Sequence, residues 1–299
     1  MLERQPLISV VVPTRNRPTL LQDCLASLCS QDYCKDGYEI IVVDDGCVGK
    51  DTENLVRKFQ GQQPPVRYLW QPHRGLNAAR NLGLTESQGD PIIFVDDDIE
   101  APPGWLAEFA AAILRYPNAA ALGGPAYIRI EGKRSLPRTC EKCASVEDIE
   151  TFSHGKHDRD VAWVIGANMA IRREAVNRVK LFNERFTYGG GDEIEWQVRA
   201  RRAGMPIIYV ARAWLWHRRT QEDMYIKLLK KSFLRNKWYI RLSLETGENL
   251  PSLKCAMKET GLSIGHALGR QCFMGMFKAA GNIGFIAGWL RWAIIRNSK

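Results

Sequence analysis

At 299 residues, with 45% hydrophobic and 25% charged residues, the chain has the composition of an ordinary globular protein. It is long enough for one large α/β domain plus an appendage. Only six apolar-leaning residues, Leu7 to Val12, precede Pro13, so neither a secretory leader nor export is expected, and of the eight cysteines the scattered ones, all but Cys140 and Cys143, read as reduced thiols.

The formal charge of +9 is unevenly placed. Residues 1–217 carry 27 Lys/Arg against 28 Asp/Glu, whereas residues 218–299 carry 15 against 5. The basic balance therefore belongs to a tail and points to an anionic partner for it, membrane surface or nucleic acid.

The predicted elements alternate along the chain. Ile8 to Val12 is a short buried strand stopped by Pro13. Thr14 to Pro18 forms a turn, and Thr19 to Ser30 has helical apolar spacing at Leu21, Leu25 and Leu28. Ile40 to Val43 is a second strand, ending in Asp44 and Asp45 before Gly46. Asp51 to Gln60 suits a helix, Val66 to Leu69 a third strand, and Gly75 to Leu84 a helix start packed with small residues. Pro91 to Val95 is a fourth strand and Gly104 to Tyr116 the helix after it. Strand and helix in alternation imply crossover connections and a mainly parallel sheet. Later, Trp163 to Arg173 reads as a buried strand running into a turn. Gly189, Gly190 and Gly191 give a mobile loop before a helix through Ala203, and Ile207 to Val210 is a further strand.

The stretch Ile92-Ile93-Phe94-Val95-Asp96-Asp97-Asp98 organises the rest. Four apolar residues rich in branched and aromatic side chains make a buried strand whose carboxyl end delivers acids to the edge where open α/β sheets bind ligands. Alternate residues of an extended chain share a face, so Asp96 and Asp98 converge while Asp97 points away. Two hard oxygen ligands suit Mg²⁺ or Mn²⁺ carrying phosphates. A solvated acidic turn is the plainer alternative.

The ordered set Val10 to Arg17, Val42-Val43-Asp44-Asp45-Gly46, Asn77-x2-Arg80-Asn81-x-Gly83 and Phe94 to Asp98 resembles family 2 glycosyltransferases over about residues 7–217. The resemblance implies the GT-A fold of nucleotide-diphospho-sugar transferases: a Rossmann-like mixed, mainly parallel sheet with helices on both faces. Residues 1–217 would form this domain and 218–299 a C-terminal helical extension. It further implies a nucleotide-sugar donor, a divalent metal, and hexosyl transfer with inversion, of the kind that builds cell-envelope polysaccharides.

Roles follow from that resemblance. Pro13, Thr14, Arg15 and Asn16 would lie against the nucleotide. Asp44 and Asp45 would accept hydrogen bonds from ribose or base, and Arg74 and Arg80 would contact base or diphosphate; Arg80 serves equally well as a tie between acidic strand ends. Asp96 and Asp98 match the family's metal-binding carboxylates (its Asp-x-Asp motif), with Asp97 beside the donor. Gly166 and Ala167 would let backbone approach the donor sugar, and Asn168 would hydrogen-bond to it. The family places an acidic pair at Asp192-Glu193, but here in reversed order. Glu193 takes the position of the general base that deprotonates the acceptor hydroxyl, with Asp192 the alternative. His217, after Trp214-Leu215-Trp216, would complete the metal shell or touch diphosphate.

Two features lie outside the resemblance. Cys140-x2-Cys143 followed by His154-x2-His157 is similar to a zinc pattern, with shorter spacings than usual. In the tail, Tyr225 to Leu242 mixes apolar and basic residues as a membrane-surface helix does. Gly261, Gly265 and Gly269, then Gly284 and Gly288, carry the spacing of closely packed helices. The longest uncharged run, Ala279 to Leu290, is twelve residues, too short to span a bilayer. The expectation is a cytoplasmic enzyme peripheral to the inner face of the cell membrane, acting on a glycan or lipid-linked acceptor. A helical lid or oligomer contact is the alternative for the tail. Nucleic-acid binding is not expected, since no recognised module accompanies the charge. Two other functional classes fit less well. A nucleotidyltransferase would want a Gly-rich loop after the first strand, and Pro13 to Pro18 has no glycine. A non-catalytic relative that binds sugar nucleotide or membrane would not need Asp96, Asp98, Asp192, Glu193 and His217 together.

Overall fold

The computed structural model describes residues 6–131, 143, 151–186, 192–220, 229–230, 232–234, 236, 253–270 and 272–297. The chain divides into two compact units. The first comprises Met1–Arg129, Thr151–Thr187 and Trp196–Arg218; the second comprises Ile130–Glu150, Tyr188–Glu195 and Arg219–Lys299. Cys143 and Glu193 thus group with the C-terminal helices, where the sequence reading had placed them with the sheet.

The first half of the sheet unit alternates as its apolar pattern requires: β1 (Ile8–Thr14), α1 (Pro18–Cys29), β2 (Tyr38–Asp45), α2 (Asp51–Arg57), β3 (Val66–Gln71), α3 (Leu76–Glu86) and β4 (Ile92–Val95). Then come β5 (Ile99–Glu100), α4 (Trp105–Arg115), β6 (Ala121–Gly123), β7 (Ala126–Glu131), β8 (Arg159–Asp160), β9 (Asn168–Ile171) and α5 (Arg173–Val179). After α6 (Asp192–Arg202), β10 (Ile207–Tyr209) and β11 (Leu215–Thr220) complete the strands.

Eight strands form one sheet in the order β3-β2-β1-β4-β9-β6-β10-β8. β1 pairs in parallel with β2 and β4, and β2 with β3. β9 runs antiparallel between β4 and β6, so the sheet is mixed. The middles of its central strands, residues 10–13, 40–43 and 92–95, are apolar because both faces are covered. Val10, Val12, Ile40 and Val42 pack with Leu21, Leu25, Trp105 and Phe109 on one face. Val11, Ile41 and Val43 pack with Ala79, Leu84, Ala175 and Trp196 on the other. α3 approaches that second face so closely that a Cβ at Gly83 would sit 2.3 Å from Val11 Cγ1.

Parallel pairing brings the carboxyl ends of β1, β2 and β4 to one edge, where Thr14 lies opposite Asp44. A second sheet, β5-β11-β7, starts immediately after the acidic turn. In it His217 of β11 lies opposite Ile99 of β5, which delivers the histidine to the same edge.

In the second unit, α7 (Leu253–Arg270) and α8 (Phe273–Asn297) form a helical pair. Their close approach is at Gly275, where an added Cβ would lie 2.4 Å from Ala267 N. The expected stripe of Gly261, Gly265 and Gly269 is not a packing face: among the described residues, nothing lies within 4 Å of a Cβ built there. Most of the amphipathic segment 225–242 lies outside the described residues, as does the glycine loop 189–191. No helix among the described residues is long and apolar enough to cross a membrane.

Candidate active site at the strand ends

The turn after β4 sends its three acids to different places. Asp97 turns inward and is fully buried, accepting a hydrogen bond from Thr14 Oγ1 at 2.7 Å and pairing with Arg17 Nη2 at 2.5 Å. Burial pushes its carboxyl up to about 7 against the opposing pull of Arg17. Asp97 is therefore an anchor for the turn after β1, not a group facing the donor as the resemblance implied. Arg17 also reaches Asp98 Oδ2 at 3.1 Å, so one guanidinium serves both acids.

Asp96 and Asp98 converge as the alternation of an extended chain dictates, and His217 joins them. One ligand atom from each lies within 4.8 Å of the other two. His217 Nε2 is 2.9 Å from Asp98 Oδ1 and 3.7 Å from Asp96 Oδ2. Bonds of about 2.1 Å at right angles around Mg²⁺ give a ligand-to-ligand edge of about 3.0 Å, close to the shorter spacing. Two carboxylates and one imidazole are a donor set for Mg²⁺ or Mn²⁺. The residues present fit a divalent cation. Arg218 supports the arrangement by donating its backbone N–H to the Asp98 carbonyl at 2.8 Å.

The acids ending β2 are committed elsewhere. Asp44 is buried and accepts from Cys47 N and Tyr68 Oη, both at 2.7 Å. Asp45 meets four groups from the end of β3 and the segment after it: Gln71 Nε2, His73 Nδ1, Arg74 N and Gly75 N, at 2.7 to 3.0 Å. Burial alone would raise its carboxyl; these hydrogen bonds outweigh it and hold the group below the usual carboxylate value. With its acceptor positions filled, Asp45 shapes the wall of the site, which corrects the expectation that it meets ribose or base. Asp44 keeps acceptor capacity. Asn16, with φ at 55°, ties the first two strand ends together: its N–H points to Cys47 Sγ at 3.0 Å and its Oδ1 accepts from Val48 N at 2.7 Å. Pro13 is buried, and Arg15 is exposed beside it.

The Asn77-x2-Arg80-Asn81 face of α3 is a clamp on a distant loop. Asn81 Nδ2 donates to the Phe182 carbonyl while its Oδ1 accepts from Phe182 N, both at 3.0 Å. Asn77 donates to the Asn183 carbonyl at 3.0 Å. Arg80 is buried, bonded to Asn77 and stacked over the Phe182 ring. Arg74 pairs with Glu184 at 2.7 Å. Arg80 and Arg74, expected at base or diphosphate, both contact the Phe182–Glu184 loop in this structure.

Asn168 is likewise structural. It is fully buried, accepts from Trp105 Nε1 at 2.9 Å and donates to the carbonyls of Pro125 and Ala213. Gly166 and Ala167 are buried just before it. Val164, in the same segment, exchanges two hydrogen bonds with the Gln197 side chain. Asp192 and Glu193 open α6 in the second unit; Glu193 is half-buried, and the Asp192 side chain lies outside the description.

The cysteine–histidine grouping differs from the one expected. His154 belongs to an aromatic cluster with Phe152, Trp163 and Tyr209, and His157 is exposed. Cys140 lies outside the described residues, whereas Cys143 keeps company with His266 and Cys272. Arg17 and Asn81 are the main residues whose work the sequence concealed. Each acts on a partner at least eighty positions away, and only their place within the motifs signalled them.

Comparisons with known proteins agree with this geometry. A family model described as glycosyl transferase family 2 matches residues 9–182. Over 238 residues the chain is 28% identical to chondroitin synthase of Escherichia coli, covering 70% of this chain and 34% of that protein. It is 32% identical over 189 residues to the GalNAc(5)-diNAcBac-PP-undecaprenol beta-1,3-glucosyltransferase of Campylobacter jejuni, covering 62% and 57%. The chain thus spans only part of these curated relatives. In fold it is similar to the mannosyltransferase PcManGT from Pyrobaculum calidifontis, solved with GDP-Man and Mn²⁺, with a TM-score of 0.63 at 15% identity, covering 95% of this chain and 88% of that one. Its sheet and helices are those of a GT-A transferase, and the chain belongs to glycosyl transferase family 2.

Proposed function

We propose that the chain is an inverting glycosyltransferase that moves a hexosyl group from a nucleotide-diphosphate sugar to an acceptor hydroxyl. The observation that carries this reading is the convergence of Asp96, Asp98 and His217 at the strand ends of a family 2 fold. Asp96, Asp98 and His217 would hold Mn²⁺ or Mg²⁺, which when bound offsets negative charge on the leaving diphosphate.

The chain's own residues do the positioning. Arg17 and Thr14 hold Asp97, so the acidic turn is fixed before any ligand arrives. Asp44, Arg15 and Asn16 line the nucleotide end of the site. Glu193, with Asp192 the alternative, takes the proton of the acceptor hydroxyl, because a neutral sugar hydroxyl is a poor nucleophile.

The acceptor is a glycan or a lipid-linked glycan. The Campylobacter relative, named for an undecaprenol-linked substrate, supports this class. The excess of ten positive charges in residues 218–299 supports docking on an anionic membrane surface. Incubation with a panel of nucleotide sugars plus Mn²⁺ tests the reading. Metal-dependent release of free nucleoside diphosphate from one donor is expected; release from none, with or without a glycan acceptor, would overturn it.

A further inference from the structure

In the second unit, three soft or borderline ligands from two well-separated parts of the chain meet at one point. Cys143 Sγ lies 3.5 Å from His266 Nε2, across 123 positions of sequence. The Cys272 sulfur completes the group, with all three atoms within 4.8 Å of one another. We propose that Cys143, His266 and Cys272 bind a zinc ion that fastens Cys143 to the junction of α7 and α8.

The chemistry of the donors selects the metal. Thiolate sulfur and imidazole nitrogen are the preferred ligands of Zn²⁺, whereas Mg²⁺ and Mn²⁺ prefer the oxygen-rich site at the strand ends. The geometry agrees. Zn–S bonds of about 2.3 Å and Zn–N bonds of about 2.05 Å at the tetrahedral angle place sulfur and nitrogen about 3.6 Å apart. The observed 3.5 Å is that edge. A thiol–imidazole hydrogen bond is the competing explanation of this one distance, but it gives no reason for a second sulfur to join the pair.

The surroundings hold the ligands in place. Cys272 is buried in the short link between the helices, where its N–H donates to the Ala267 carbonyl at 3.2 Å and its carbonyl accepts from Gly275 N at 3.1 Å. Gly275 lets the helices close at this point, since a Cβ there would meet Ser263 O at 2.6 Å. His266 and Cys143 are half-buried, which leaves a route for the ion. They line a cavity of about 210 Å³ that also receives Glu259, seven residues before His266 and so on the same face of α7. Three protein ligands leave a fourth position, for water or a further side chain. Binding releases the two thiol protons, so affinity rises with pH. This inference rests on residues other than those assigned to glycosyl transfer and stands or falls separately.

The full-length chain, purified under reducing conditions and dialysed against a weak chelator, should keep about one zinc per chain by elemental analysis. Replacing zinc with Co²⁺ should give thiolate-to-cobalt charge-transfer absorption in the near ultraviolet, which carboxylate and imidazole ligands at Asp96, Asp98 and His217 do not produce. Cys143→Ser and Cys272→Ser should each weaken zinc binding more than about tenfold, since even supporting residues outside the ligand set are worth that much. If these variants fail to fold, the cobalt spectrum of the unaltered chain still decides. A chain that keeps no zinc, a cobalt spectrum without the thiolate bands, or a Cys143–Cys272 disulfide that persists under reductant would overturn the proposal.

Discussion

His217 Nε2 rests 2.9 Å from Asp98 Oδ1, although 119 positions separate the two residues and both are buried. Antiparallel pairing of β11 with β5 creates that contact, because β5 begins at the residue after Asp98. Strand pairing therefore itself brings these two side chains together in this fold.

Asp98→Ala should abolish turnover while leaving the fold intact. Arg17 keeps Asp97 as a partner, and the Arg218 hydrogen bond is to backbone, so neither support is lost. Removing one of two metal carboxylates costs several kcal/mol of transition-state stabilisation, a fall of roughly a thousandfold or more. Turnover assays beside circular dichroism check it; undiminished activity rules out the metal role.

Glu193→Gln should remove transfer but spare donor binding, since the amide keeps the shape and loses the base. Isothermal titration with a donor nucleotide separates the two effects. A dead Asp192→Asn with a live Glu193→Gln would reverse the assignment.

Asn81→Ala should destabilise the chain by about 1–3 kcal/mol, because the buried Phe182 N–H and carbonyl both lose their side-chain partner. Urea melts measure it. A change below about 0.5 kcal/mol would mean the clamp carries no stability.

Asp45→Asn tests the pH dependence. The folded carboxyl lies below its usual value, so its contribution is fully present above the unfolded value, near 4, and is lost as pH falls through the lower folded value. The stability gap between wild type and variant should be constant from pH 7 to about 5 and narrow below about 4. Chemical denaturation across that range follows it, and a gap independent of pH throughout would contradict the hydrogen-bond explanation.

Much of this was legible in order. β1, β2 and β4 were readable because burial on both faces makes near-continuous apolar runs, and the acids ending β2 and following β4 marked the edge. The direction of β9 was not, since a strand covered on both faces looks the same whether parallel or antiparallel. β5 and β8, at two residues each, are too short for any period to register. Alternation correctly separated Asp97 from Asp96 and Asp98 but could not say that Thr14 and Arg17 would bury it. Asn81 and Asn168 carried motif positions whose partners are set by tertiary structure; Asn168 read as a ligand contact, whereas here it bonds Trp105, Pro125 and Ala213. Cys143 was paired with the nearest histidines in sequence, whereas the fold gives it His266.

The most direct measurement is Mn²⁺ binding itself, followed by electron paramagnetic resonance or titration calorimetry on the full chain and on Asp98→Asn and His217→Ala. Saturable binding at a single site in the unaltered chain, weakened at least about tenfold in both variants, is the expected result. Binding that is absent, or that persists unchanged in both variants, would contradict a metal centre at the strand ends.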